Sequence, residues 1–453
     1  MQAINPATEQ PLKEYQNHTD EQVIATIEKA NKAFKDWKET PVAYKAELMK
    51  KAADVLMSEK SAFARIMTDE MGKTLKESEA EVEKCAWVCE FYAEHAEEFL
   101  KDEIIESDAS KSYVSHQPLG IVFAIMPWNY PFWQVFRFAA PSLMAGNVAI
   151  LKHAPNVPGC AEAIASVFEK AGFPKGVFSK LFISNEQASD VIEHRDVKAV
   201  TLTGSTRAGK EVAKQAGAVL KKCVLELGGS DPYIILEDAD LDLAIETTVA
   251  SRLKNNGQSC ISAKRFIVPE SIKEEVEKRL VKEMKSYTYG DPTNDETDLG
   301  PLVGEKYRDQ LHDQVKRTIE AGAKCIIGGE VPNMKGYYYP PTILTDVKKG
   351  MPAYEEELFG PVATVISVKD EEEAIKVAND TSYGLGGAIF SRDVKRAEYL
   401  AANKLEAGSC FVNEMVSSDP RLPFGGINES GFGRELSHHG IKEFVNVKTV
   451  YVK

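Results

Sequence analysis

Three residues of this 453-residue chain have the types and settings that acyl chemistry needs. Cys260 closes the segment NNGQSC, which is polar and glycine-containing and lacks the apolar flanks of a packing cysteine. Glu226 stands in LELGG, at the end of an apolar strand, where a carboxylate is costly unless it has a partner or a task. Asn129 lies in PWNYP, on a loop beside an apolar strand, where its amide can donate to a developing oxyanion. A thiolate that attacks a carbonyl, an amide that holds the oxyanion and a carboxylate that activates water make up a thioester route. Singly, each residue is more often structural than catalytic. Jointly they point one way.

A nucleotide site lies nearby in sequence. Strand Val200–Leu202 runs into Thr203-Gly204-Ser205 and then a helix. Backbone N–H groups at a helix start attract phosphate oxygens, Gly204 permits close approach, and Ser205 adds a hydroxyl. An ordinary capped helix without ligand explains the same residues. Two familiar nucleotide motifs fail here. Gly204 to Lys210 has P-loop spacing, but Glu211 follows where a Ser or Thr must hold magnesium. No GxGxxG follows an early strand, so the ordinary dinucleotide fingerprint is absent.

The elements that must position these residues are legible from periodicity. Helices are expected over 20–37, 45–57, 61–71 and 76–100, the last placing Cys85 and Cys89 on one face as core thiols. Residues 102–118 change character and suggest a hairpin or arm outside the core. A βαβ train follows, with strands near 122–126, 148–151, 177–183, 199–202 and 223–227. A second train starts near Asp231 and runs to about residue 412. Apolar strands alternating with helices imply a mostly parallel, doubly covered sheet in each. The tail from Glu443 to Val452 alternates like an exposed strand that needs a partner. The stretch 119–151 carries a single charge, Arg137, yet Pro127 and Pro131 break it, so buried strands and a buried helix are expected rather than a membrane span.

Composition bounds the function. Apolar residues at 43% and charged residues at 27% are ordinary for a globular protein. A formal net charge of −14 argues against nucleic acid or anionic membrane as partner. Seven cysteines form no disulfide framework, and the N-terminus shows no signal peptide, so a reducing cytoplasmic setting is expected.

The ordered motifs PWNYP (127–131), TGST (203–206), LELGG (225–229), GQSC (257–260), EELFGP (356–361) and PFGG to SGFGRE (423–435) closely resemble the aldehyde dehydrogenase superfamily along essentially the whole chain. That resemblance implies an α/β fold in three parts. A Rossmann-type cofactor domain takes residues 1–101 and 119–228, and a catalytic domain takes 229–417. An oligomerisation arm and C-terminal segment take 102–118 and 418–453, giving a homodimer or homotetramer. It implies Cys260 as nucleophile, Asn129 and the Cys260 N–H as oxyanion hole, and Glu226 as the deacylation base. Cofactor contacts would come from Trp128, Lys152, Pro155, Gly204, Ser205, Leu227, Glu357 and Phe359. Attack on an aldehyde gives a thiohemiacetal, hydride loss to nicotinamide gives a thioester, and water releases the acid; no metal is implied.

LKHAPNVPG (151–159) is similar to the short bacterial succinate-semialdehyde dehydrogenase branch. Arg137, Lys254 and Ser418 match positions that meet the substrate carboxylate there, and an Arg fork suits a carboxylate. An internal ion pair to a core carboxylate is the lesser alternative for Arg137. Glutarate semialdehyde or a neutral aldehyde is the alternative substrate. Three departures stand out. Pro155 replaces a ribose-binding Glu, which opens NADP use, although the KHAPNV form leans toward NAD. Phe138 replaces a Lys tied to proton relay. Ser262 replaces a second Cys, so no disulfide switch on Cys260 is expected.

Overall fold

Short apolar runs bounded by turns become the buried strands of two sheets. The computed structural model describes residues 1–453 and contains a six-stranded sheet, a seven-stranded sheet, a three-stranded arm and a small N-terminal hairpin. The first sheet has the spatial order Gly431–Phe432, Lys222–Glu226, Val197–Thr203, Ile121–Met126, Val148–His153, Phe178–Lys180. All its neighbours are parallel except the first pair. Chain order therefore reverses at Ile121–Met126, with the next strand on one side and Val197–Thr203 on the other. This is the topological switch point of a doubly wound sheet, and ligands bind outside the carboxyl ends of the strands there. The segments that emerge at that point are Pro127 to Asn129 and Gly204 to Ser205.

Helices seal this sheet. Asp20–Trp37 opens with a capping box between Thr19 and Gln22 and buries Val23, Ile27, Ala30 and Trp37. Leu75–Leu100, capped by Thr74, packs against Trp133–Met144, a helix buried on every side. One apolar core of 72 buried residues joins these elements.

The second sheet runs Lys324–Ile327, Thr342–Thr345, Val362–Val368, Arg265–Pro269, Pro232–Ile235, Gly386–Phe390, Ser409–Val412. Only its first pair is antiparallel. Separate apolar clusters cover its two faces, so it forms a body of its own.

In the arm, Lys111–Pro118 pairs with Glu103–Ile104 on one side and Val445–Val452 on the other, both antiparallel. The C-terminal segment from 418 is divided: Gly431–Phe432 joins the first sheet beside Lys222–Glu226, and only Val445–Val452 reaches the arm. Periodicity does not reveal the hairpin Gln2–Ile4 with Pro11–Glu14, because its strands are too short. No helix is long and apolar enough to cross a membrane; the apolar stretch from 119 divides into Ile121–Met126, Trp133–Met144 and Val148–His153.

Candidate active site

The nucleophile loop is built on backbone that few residues tolerate. After helix Leu241–Leu253, Asn255 and Asn256 both adopt φ of 56°, a left-handed conformation that Asn accepts better than most side chains. Gly257 follows at φ 73°, and a Cβ there would lie 2.2 Å from the Gly360 carbonyl carbon. Asparagine side chains pin the turn. Asn255 Nδ2 donates to the Asn129 and Gln258 carbonyls at 2.8 and 3.0 Å. Asn256 Nδ2 donates to the Pro301 carbonyl at 2.9 Å. Glu77, from the Leu75–Leu100 helix, accepts the Asn255 N–H at 2.7 Å.

Asn129 is held from both ends of its amide. Its Nδ2 donates to the Gln258 carbonyl at 3.1 Å, and its Oδ1 accepts from Gln134 Nε2 at 3.1 Å. That leaves one amide hydrogen uncommitted. The loop itself is anchored by Glu81, whose Oε1 accepts the N–H groups of Phe132 and Trp133 at 2.8 and 2.9 Å, just where the next helix starts. Glu81 is in turn ion-paired with the buried Lys73.

Cys260 lies where two cavities meet. The wider, about 460 Å³, is lined by Trp128, Asn129, Gly204, Ser205, Leu227, Glu357, Phe359 and Cys260. The narrower, about 140 Å³, is lined by Cys260, Arg137, Lys254, Ser418 and Lys84 among others. Burial pushes the Cys260 thiol up to about 12, with Lys264 and Arg137 pulling the other way. All seven cysteines are free, and the Ser262 hydroxyl donates to the Ser259 carbonyl at 3.0 Å.

The wide cavity suits a dinucleotide. Helix Thr206–Ala218 starts at its wall, and its cap is Ser205, whose hydroxyl accepts the Ala208 N–H at 3.3 Å. A Cβ on Gly204 would meet only Leu202, at 3.7 Å, so the backbone there is bare. Bare N–H groups at a helix start fit pyrophosphate. Arg207, which sequence reading passes over, adds a cation to the same wall. Trp128 stands edge-on to Phe359 at 5.8 Å. Lys152 and Pro155 lie outside this cavity, on Val148–His153 and the turn that follows. The near P-loop resolves itself: the Lys210 ammonium pairs with Glu429 at the surface.

Glu226 lines neither cavity. It is buried, its carboxylate accepts no hydrogen bond, and Oε1 lies 2.8 Å from where a Gly425 Cβ would be. Burial, then the neighbouring Glu435, holds its carboxyl well above the usual range, against Arg137 and Arg434. Arg137 itself is ion-paired with Glu435, lies 4.7 Å over the Phe424 ring and reaches Thr203 Oγ1 at 3.5 Å. The internal ion pair weighed for Arg137 thus exists, and Arg137 still faces the narrow cavity. Phe138 packs against Phe444, away from both cavities.

Lys84 is the cation that sequence reading misses. It donates to Ser418 Oγ at 2.9 Å, sits 4.4 Å from the Trp133 ring centre and has no carboxylate within 4.0 Å. Burial, then repulsion from Lys254 and Arg137, lowers it to about 8. Ser418 also accepts from Trp133 Nε1 at 3.1 Å.

A switch-point sheet, a thiol between two cavities and an oriented amide suit thiol chemistry on a carbonyl beside a nucleotide-sized cavity, and the comparisons give the class its name. The aldehyde dehydrogenase family model matches residues 1–450, and the chain belongs to that family. It is 50% identical over 449 residues to a probable succinate-semialdehyde dehydrogenase [NADP(+)] of Synechocystis sp., covering 99% of each chain. It is 45% identical to the Escherichia coli succinate semialdehyde dehydrogenase [NAD(P)+] Sad, over 99% of this chain and 97% of that one. The Streptococcus pyogenes succinic semialdehyde dehydrogenase, solved with NADP+, superposes with TM-score 0.98 at 40% identity, covering 100% of this chain and 99% of that one. The chain is an NAD(P)-dependent oxidoreductase of α/β fold.

Proposed function

We propose that the chain oxidises succinate semialdehyde to succinate, with NAD or NADP, through a thioester on Cys260. The observation that carries this reading is the position of Cys260, facing a dinucleotide-sized cavity on one side and a cation-lined pocket on the other. Around the narrow pocket stand the cations Lys73, Lys84, Arg137 and Lys254 and the carboxylates Glu77, Glu81 and Glu435. One positive charge is left over, and a monoanionic substrate neutralises it. Lys84, Lys254 and Ser418 then hold the substrate carboxylate, with Arg137 sharing its charge between substrate and Glu435.

The Cys260 sulfur adds to the aldehyde carbon. The uncommitted amide hydrogen of Asn129 and the Cys260 N–H, which donates to no acceptor in the chain, receive the oxyanion. A bound nicotinamide supplies the hydride acceptor. Trp128 and Phe359 would wall its side of the cavity, Glu357 would meet ribose hydroxyls, and Ser205 with its helix N-terminus would meet pyrophosphate. Lys152 and Pro155, outside this cavity, would meet only a part of the cofactor that extends beyond it. Glu226, buried beside Gly425 with its carboxyl held above the usual range, is the candidate base for water; in its ionised form it would accept the proton as water attacks the thioester.

The leaning toward NAD gains no support from relatives whose names carry NADP(+), and Pro155 presents no carboxylate to a 2′-phosphate. Both cofactors are therefore assigned, NADP included. The exposed apolar side chains Ile104, Val447 and Tyr451 on the arm support a homodimer or homotetramer. The free thiols support a cytoplasmic location.

An aldehyde panel run with each cofactor tests the function. Succinate semialdehyde is expected to give the highest kcat/KM, glutarate semialdehyde less, and neutral aldehydes of the same length least. A neutral aldehyde that equals succinate semialdehyde would sink the assignment of substrate.

A further inference from the structure

Lys264 belongs to neither cavity, yet its ammonium hydrogen-bonds the backbone of Cys260 itself. It is buried, at 2% exposure. Its ammonium donates to the Ser259 carbonyl at 2.8 Å and to the Cys260 carbonyl at 2.7 Å, and lies 3.3 Å from Glu357 Oε1. Two of its hydrogens are committed to carbonyls, and Glu357 is its ion-pair partner.

Holding carbonyls does not by itself require a charge. In the same loop, Asn255 and Asn256 clamp four carbonyls with neutral amides. A buried ammonium is far more costly to desolvate than an amide; burial lowers Lys264 from the ordinary lysine range, and Glu357 and Asp231 act to keep its charge, a charge that an amide would not supply. Its position shows what that charge can do. The Ser259 carbonyl and the Cys260 N–H are two ends of one peptide unit, and in a trans peptide they point in opposite directions. A cation fixed on the oxygen turns the N–H away from itself and polarises it as a donor. The N–H so aimed has no acceptor within the chain.

We propose that Lys264 is a positioning residue for catalysis: it orients the Ser259–Cys260 peptide for oxyanion binding and supplies the positive field that favours the Cys260 thiolate. Glu357 tempers that field from the cofactor side, because it shares the same ammonium while also accepting the Gly229 N–H at 3.1 Å. The other charged or titratable groups that bear on the thiol are Arg137, which favours the thiolate, and Asp231, which opposes it; Tyr130 is coupled to the thiol as well. The inference rests on Cys260 as the nucleophile but not on the identity of the aldehyde.

The test uses the full-length enzyme without aldehyde or cofactor. Its readout is the rate of Cys260 alkylation by iodoacetamide against pH, followed by mass of the Cys260 peptide. Lys264→Met is expected to move the profile to higher pH and slow alkylation at neutral pH by ~10-fold or more, one pKa unit being tenfold in thiolate. Lys264→Arg is expected to restore most of it, and Glu357→Gln to move the profile the opposite way. In turnover, Lys264→Met should lower kcat by ~10²-fold, as loss of an oxyanion donor does, with little change in KM. A folded Lys264→Met enzyme with the wild-type alkylation profile overturns the proposal. If that variant does not fold, an unmoved profile in Glu357→Gln overturns it equally. Wild-type enzyme that alkylates as expected but prefers a neutral aldehyde would sink the substrate assignment alone.

Discussion

The two cavities that meet at Cys260 are built in opposite ways. The wide one is made largely of short contiguous segments, Pro127 to Asn129, Thr203 to Ser205 and Leu227 to Gly228 at the ends of strands and Glu357 to Phe359 between a helix and a strand, with one face of helix Glu305–Glu320 closing it. Its recognition groups mix backbone N–H, aromatic faces and polar side chains such as Arg207 and Glu357. The narrow one is made of single side chains from distant elements: Lys84 from a long outer helix, Arg137 from a buried one, Lys254 from a turn, Ser418 from near the C-terminus. Its recognition groups are charges. Chemistry shared by many aldehydes is thus written in local motifs, and discrimination among aldehydes in long-range convergence.

Substitutions can separate the two sides. Cys260→Ala strikes both and has the largest expected effect, loss of aldehyde-dependent nicotinamide reduction by at least ~10⁴-fold, as for other covalent nucleophiles. Activity surviving it would break the shared mechanism. Asn129→Ala acts at the junction, and kcat should fall by ~10²–10³-fold; a change confined to the KM for cofactor would move Asn129 out of the oxyanion hole.

Lys84→Met should act on the narrow side alone. The ratio of kcat/KM for succinate semialdehyde to that for a neutral aldehyde should fall by ~10–100-fold, the worth of a hydrogen bond to a charged group. The KM for cofactor should not move. The same lysine predicts a pH dependence. Its ammonium is charged below about 8 and lost above it, so the wild-type ratio should decline as pH rises through that value. Taking a ratio cancels the thiol titration common to both substrates. A flat wild-type ratio would remove Lys84 from carboxylate recognition. Arg137→Ala, by contrast, strands Glu435 and should cost stability, roughly 3–5 kcal/mol in thermal or urea unfolding, as well as substrate affinity.

Ser205→Ala is the smallest effect and belongs to the wide side. Loss of the cap should cost ~1 kcal/mol of stability and raise the KM for cofactor by less than ~10-fold, leaving the aldehyde ratio unchanged. A shift in that ratio would show that the two cavities are not energetically separate.

Periodicity read the helices closely: Asp20–Trp37 has its expected bounds, and Leu75–Leu100 begins one residue early. The strand Ile121–Met126 begins one residue before the 122–126 expected. These elements bury regular apolar stripes, a signal that local sequence contains. Arm pairing was harder to read, because Val445–Val452 finds Lys111–Pro118 more than 300 residues away, and Gly431–Phe432 is too short to show a period at all.

Among the candidate site residues, Cys260, Asn129 and the Gly204–Ser205 turn stand out by residue type and setting, and Glu357 only through the motif resemblance. Lys84 was not. It lies in a helix crowded with Glu and Lys, where charge normally means solvent, and nothing in the spacing shows which turn faces a cavity. Lys264 hides for the same reason, as one of 55 basic residues beside an ordinary strand. Glu435 was visible within its motif, but its pairing with Arg137, nearly 300 residues earlier, was not.

The sequence by itself determined the chemistry of this protein, because thiol, amide and phosphate-binding turn each depend on a few adjacent residues and their backbone conformation. Only the tertiary structure decided the charge around the substrate. That charge is a small remainder among cations and carboxylates brought together from distant parts of a chain whose net charge is −14, and Coulomb interactions depend on distance in space, not along the chain.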